Sequence, residues 1–157
     1  MNDTEVRVEE RIDAPPGSLY ELVSDVTRMD EWSPETRSCR WLGGANGPAV
    51  GARFRGANRD GWRRWSTTCT VVAADPGRRF AFDVDFGGFP ISRWTYEFAA
   101  DGDGTVVTEV WHDRRRPWMV RISPVVMGVP DRPGHNREGM QQTLASLRRA
   151  AEAKRSR

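Results

Sequence analysis

A glutamate and a tyrosine stand in a stretch where aromatic residues alternate with polar ones, and their types could support proton transfer. Trp94, Tyr96 and Phe98 alternate with Arg93, Thr95 and Glu97, and Val107, Glu109 and Trp111 repeat the pattern beyond Asp101-Gly102-Asp103-Gly104. Successive side chains of a strand point to opposite faces, so residues two apart share a side. With a hairpin closed at that turn, Phe98 faces Val107, Tyr96 faces Glu109 and Trp94 faces Trp111. A carboxyl among rings has to be hydrogen-bonded, neutralised or wetted. Two arrangements satisfy this requirement. In one, desolvation raises the Glu109 pKa above the ordinary value of about 4.3, giving an acid or base, and Tyr96 polarises a carbonyl. In the other, Glu109 is wet at a pocket rim or paired with an arginine from a neighbouring segment. Glu109 and Tyr96 are the candidate catalytic residues.

The usual catalytic and ligand motifs are missing. The sequence has no Gly-x-Ser-x-Gly elbow, no His-Glu-x-x-His run and no Lys-Ser/Thr phosphate loop. Gly43 to Gly51 is rich in glycine, but Ala52-Arg53-Phe54-Arg55 follows as a strand rather than a helix start. Cys39 and Cys69, with only His112 and His135 beside them, lack zinc spacing and read as reduced core thiols. No metal and no cofactor is expected.

Neighbouring segments position the Glu109 face. Turns at Asp60-Gly61-Trp62-Arg63 and Asp75-Pro76-Gly77-Arg78 set Asn58 against Trp65, Gly56 against Thr67, Phe54 against Cys69, Cys69 against Val84 and Val71 against Phe82. A turn around Gly87-Gly88-Phe89-Pro90 sets Val84 against Trp94, Phe82 against Tyr96 and Phe80 against Phe98. One aromatic concave face results, presenting Phe54, Asn58, Trp65, Thr67, Cys69, Phe82, Val84, Trp94, Tyr96, Glu109 and Trp111. Ser66, Asp83, Arg93, Thr95 and Glu97 fall on the solvent side.

Residues 5 to 13 form a first strand, with Glu10 an oddity on its inner parity. Asp13-Ala14-Pro15-Pro16-Gly17 breaks it, and two short helices follow, Ser18 to Val26 and Thr27 to Trp32, before a strand over residues 37 to 42. Trp32 either caps a pocket mouth or plugs this helical elbow onto the sheet. Arg114-Arg115-Arg116 reads as a solvated loop. The apolar stretch from Trp118 to Val129, broken by Pro124 and Pro130, suggests short helical or irregular turns. Asn136 to Lys154 is helical, capped by Asn136, with Met140, Leu144, Leu147 and Ala151 inward. Gly139 and Thr143 on that stripe leave room for a cavity or for close backbone packing.

Composition limits the partners. The 157 residues form a single expected domain, 1–157, with an ordered core of about 5–153. A net charge of +2, with basic residues interspersed among acids, argues against a nucleic-acid partner. A charged N-terminus and the lack of a long apolar run predict a cytoplasmic protein without membrane insertion, and assembly as a monomer or homodimer is left open.

In its order of elements the chain resembles the helix-grip fold of the START and birch-pollen-allergen (SRPBCC) superfamily. Locally it is similar to the bacterial polyketide cyclase/dehydrase-like branch. The resembling pieces are Ile12-Asp13-Ala14-Pro15, Glu31-Trp32-Ser33-Pro34, Gly51 to Phe54, Pro76 to Phe80, Trp94-Thr95-Tyr96, Gly104 to Trp111 and Met140 to Leu147. The resemblance implies an α+β fold, a curved seven-stranded antiparallel sheet wrapped around a long C-terminal helix, with a hydrophobic ligand between them. It implies a pocket and a ligand class rather than a reaction. Binding or carriage of a small lipid-, polyketide- or aromatic-like molecule leads. A polyketide cyclase, aromatase or dehydratase using Glu109 and Tyr96 is the alternative, and a protein-interaction module using the same groove is the third. The expected ligand contacts are the concave-face residues together with Trp32, Gly139, Met140 and Thr143.

Overall fold

Strands that alternate in polarity and are joined by tight, glycine-bearing turns pair with their sequence neighbours, and a meander is the outcome. The computed structural model describes residues 4–118, 121 and 132–155. Its strands are β1 (Glu5–Ile12), β2 (Thr36–Trp41), β3 (Arg53–Asp60), β4 (Arg63–Asp75), β5 (Arg79–Phe86), β6 (Phe89–Asp101) and β7 (Gly104–Asp113). They form one curved antiparallel sheet in the order β1-β7-β6-β5-β4-β3-β2. Helix α1 (Pro16–Ser24) and a 3-10 helix (Val26–Glu31) follow β1, and the long helix α2 (Arg132–Arg155) packs on the β1 and β7 side of the sheet. The architecture is the helix-grip arrangement anticipated from the sequence. Among the described residues no helix is long and apolar enough to cross a membrane.

The expected registers hold on both sides of the sheet's centre. Asn58 pairs with Trp65, Phe54 with Cys69, Val71 with Phe82, Tyr96 with Glu109 and Trp94 with Trp111. The β5–β6 hairpin differs. Phe82 lies opposite Trp94, Phe80 opposite Tyr96 and Val84 opposite Ser92, two residues from the expected pairing. Gly87 and Gly88, at φ 58° and 83°, make a two-residue turn that brings Phe86 against Phe89, and a bulge between Val84 and Asp85 sets the rest. Positive φ at both central positions suits the strand twist, which is why the tighter turn wins over a longer one. A slip of two preserves face parity, so the aromatic face survives it.

Other expectations change in detail. The second short helix is a 3-10 helix, capped by Asp25, whose Oδ1 accepts from the Thr27 backbone N–H at 3.2 Å. Helix α2 begins at Arg132, so Asn136 lies inside it, buried, and is not its cap. Thr95 is on the outer face yet only 7% exposed. It is a short side chain on a central strand, flanked by Ala81 and Val110, beside the longer Arg93, which grips Asp83 at 2.6 and 3.0 Å. Glu10 is explained by an ion pair with Arg148 of α2 at 3.3 Å. Apart from Trp118 and Arg121, the apolar stretch beyond Pro117 falls outside the described residues.

The core joins both layers. Met140, Leu144, Leu147 and Ala151 are all buried along α2, and Tyr20 of α1 sets its ring edge-on to Phe80 and Phe98 at 6.4 and 6.0 Å. Full burial of each large apolar side chain contributes about 1.5–3 kcal/mol. The β6–β7 turn is packed tightly against the end of β1. A Cβ on Gly104 would stand 2.8 Å from the Ile12 carbonyl oxygen and 2.7 Å from Arg11 Nη2. The arginine tip can move but the carbonyl cannot, so Gly104→Ala is expected to lower stability by about 1–3 kcal/mol. A urea unfolding midpoint unchanged from the parent protein would contradict that packing.

Candidate functional site

The concave face and α2 do not meet everywhere, and between them lies a cavity of about 720 Å³. Its β3–β4 wall is Phe54, Gly56, Asn58, Trp65, Thr67 and Cys69. Phe82, Val84, Trp94, Tyr96, Glu109 and Trp111 of β5 to β7 continue it, and Gly139 and Met140 of α2 close the opposite side. Gly139 faces Pro34, and a Cβ there would meet the Pro34 ring at 3.6 Å, an ordinary contact, so close packing does not require this glycine. Phe86, Phe89 and Trp118 stand about half-exposed at the open end, Phe89 and Trp118 edge to face at 5.7 Å.

Two residues expected on the ligand lie elsewhere. Trp32 is 5% exposed and belongs to the core under the Arg28 guanidinium, 5.3 Å from its ring, so it plugs the elbow and is not among the cavity residues. Thr143 sits one turn along α2 from Gly139, donates its hydroxyl to the Gly139 carbonyl at 2.9 Å, and packs in the core below the cavity.

Glu109 is the polar centre. It is 1% exposed, and the Tyr96 hydroxyl donates to its Oε2 at 2.7 Å. Its Oε1 is buried with no hydrogen-bond partner among the described residues. Burial pushes the carboxyl up from 4.5 to about 8, against the opposing Tyr96 hydrogen bond. Burial, and then the adjacent carboxyl, hold the Tyr96 phenol well above its ordinary value. At neutral pH this is a carboxylic acid able to donate a proton. Asn58 Nδ2 reaches Thr67 Oγ1 at 3.4 Å, a weak contact. Desolvation pushes the Cys39 thiol up to about 12 and raises Cys69 further, so both remain protonated.

Arg115 overturns the reading of Arg114-Arg115-Arg116 as a solvated loop. It lines the cavity, is 9% exposed, and is bidentate to buried Asp113 at 2.9 and 2.6 Å. Arg114 turns outward to Asp83 at 3.2 Å, and Arg116 is exposed. Alternation past the end of β7 was the signal that could have found this inward arginine: residues 109, 111, 113 and 115 share one parity.

A second cluster at the cavity edge left no trace in sequence spacing. The donor atoms of Glu35, Asp60 and His135 lie within 4.8 Å of one another, His135 Nε2 being 2.6 Å from Glu35 and 3.7 Å from Asp60. One imidazole and two carboxylates are the donor types a divalent cation takes. In this structure the His135 and Glu35 atoms are already engaged with each other.

Residues 3–152 match the protein family described as polyketide cyclase / dehydrase and lipid transport. The chain belongs to that family. A Polyketide_cyc-like protein from Corynebacterium glutamicum is 31% identical over 96% of this chain and 92% of its own, with a TM-score of 0.64. Likeness of fold extends further. A protein from Chromobacterium violaceum gives a TM-score of 0.72 at 18% identity, covering 94% of this chain and 97% of its own. DynU16, from the dynemicin biosynthetic locus, gives 0.64 at 19% identity, covering 96% of this chain and 48% of its own. Among curated proteins no sequence matches. Within this cavity the polar groups Glu109, Tyr96 and Arg115 stand among aromatic walls.

Proposed function

We propose that this family member binds or carries a small hydrophobic molecule, of lipid, polyketide or aromatic type, between the sheet and α2. The carrying observation is the 720 Å³ cavity walled by aromatic rings, a volume within the roughly 300–1,000 Å³ of small-molecule sites. Aromatic walls supply apolar area and about 0.5–1.5 kcal/mol per ring pair beyond burial. An environment-sensitive hydrophobic dye should bind near one per chain and quench tryptophan emission. Gly56 offers a plug: a Cβ there meets Thr67 Oγ1 at 3.4 Å and Cys39 Sγ at 3.6 Å, ordinary contacts. Gly56→Leu should therefore reduce dye affinity at least tenfold while the unfolding transition persists. Undiminished binding to the folded variant would count against an internal site.

Glu109 favours a second reading, a cyclase, aromatase or dehydratase in which the buried acid moves a proton and Tyr96 orients the reacting carbonyl. Glu109→Gln separates the two. A carrier keeps most of its affinity, whereas an enzyme loses roughly the hundred-fold or more that general acid–base catalysis supplies. A deep cavity of this size suits a small molecule better than a docked protein segment, which leaves the interaction-module reading without a supporting observation.

A further inference from the structure

Among the described residues the cavity presents one buried side-chain polar atom without a hydrogen-bond partner. Glu109 Oε1 is buried without a partner, while Oε2 already accepts from Tyr96 at 2.7 Å. Leaving a buried polar group unmade is costly, so a bound molecule that completes the bond gains more than one that merely fills space. We propose that the cavity takes an uncharged, flat apolar molecule carrying a carbonyl or quinone-type oxygen, which accepts a hydrogen bond from Glu109 Oε1. This inference rests on the ligand-binding reading above and adds the ligand's chemistry to it.

The polarity of the contact follows from the surroundings. With Oε2 used as an acceptor, the acid proton belongs on Oε1, which then needs an acceptor from the ligand. Burial favours that protonated form. Arg115, which lines the cavity, is bidentate to Asp113, so a ligand carboxylate would be buried beside a carboxyl and a guanidinium that is already charge-paired. The other titratable groups lining the cavity among the described residues are Tyr96 of β6, Cys69 of β4, Cys39 of β2, Arg59 and Asp60 of β3, Glu35 just before β2, and His135 and Glu138 of α2. His135 is held by Glu35 at the edge, and both thiols stay protonated through the pH range of the test.

The probes are fluorenone and fluorene, matched in shape and differing in one carbonyl, with fluorene carboxylate as the anion. Binding is read by tryptophan quenching and calorimetry below and above pH 8. Fluorenone is expected to bind about tenfold tighter than fluorene in mildly acidic buffer, and the carboxylate more weakly than either. As pH passes about 8 the carboxylate form of Glu109 loses its donor, and the fluorenone preference should vanish. Glu109→Leu should erase the preference at every pH. Glu109→Gln, whose amide N–H can still donate, should keep the preference and lose its pH dependence, which excludes His135 as the titrating group. Should the leucine variant fail to fold, the glutamine pH series decides. Equal binding of fluorenone and fluorene overturns the inference and leaves the ligand-binding reading standing, as does a preference that survives Glu109→Leu. Failure of fluorene, fluorenone and dye alike to bind overturns both.

Discussion

Glu109→Gln is expected to flatten much of the protein's loss of stability between about pH 4.5 and pH 8. The Glu109 carboxyl is raised from 4.5 to about 8 in the folded state, with burial the principal cause. The sign follows from which state holds the proton. Below about 4.5 both states are protonated and the stabilisation is fully present. Between the two values the unfolded chain releases its proton and the folded protein keeps it, so rising pH favours unfolding. Above about 8 the loss is complete, on the order of 3–5 kcal/mol for a group buried this fully. Glutamine titrates nowhere in that range, and its side-chain oxygen still accepts from Tyr96. Denaturant unfolding of both proteins across the range, plotted as a difference curve, isolates this carboxyl because every other group is shared. A parallel pair of curves would mean that Glu109 is hydrated, and the acid–base reading of the site would go with it.

Arg115→Met should lower stability by about 3–5 kcal/mol, the usual cost of breaking a buried charge pair from one side. Arg115 and Asp113 side chains are 10% and 1% exposed, and the pair is closed by two charge-assisted bonds, with the Arg115 backbone N–H also donating to Asp113 Oδ1 at 3.0 Å. An exposed pair such as Arg28 with Glu31 would lose only about 0–1 kcal/mol on the same treatment. The double variant Asp113→Asn with Arg115→Met removes both charges and should recover a large part of the loss. If Arg115→Met and an Arg116→Met control shift the unfolding midpoint equally, the arginine run is solvated as its sequence alone suggests.

These expectations draw unequally on sequence and on fold. That Tyr96 and Glu109 face each other was legible because alternation fixes the side of the sheet and a four-residue turn fixes the partner. The β5–β6 pairing was off by two because glycines at positions 87 and 88 permit more than one turn length, and parity tolerates an even slip. Parity likewise put the concave-face residues on one side, but could not say how far along α2 the helix stops touching the sheet. That is why Thr143 falls in the core while Gly139 borders the cavity.

The sequence by itself determined the meander, its aromatic face, the gripping helix and the family resemblance, because each is written in periods of a few residues and in turn chemistry. Only the tertiary structure decided which polar groups are satisfied. Arg115 turns inward to Asp113, Glu35 and Asp60 meet His135 from three separate segments, and Glu109 keeps one oxygen without a partner among the described residues. Hydrogen-bond satisfaction depends on burial and on residues far apart in the chain. Burial is set when α2 closes over the sheet, so a local pattern can give a side chain's face, as alternation does for Arg115, but not whether its polar atoms end up satisfied.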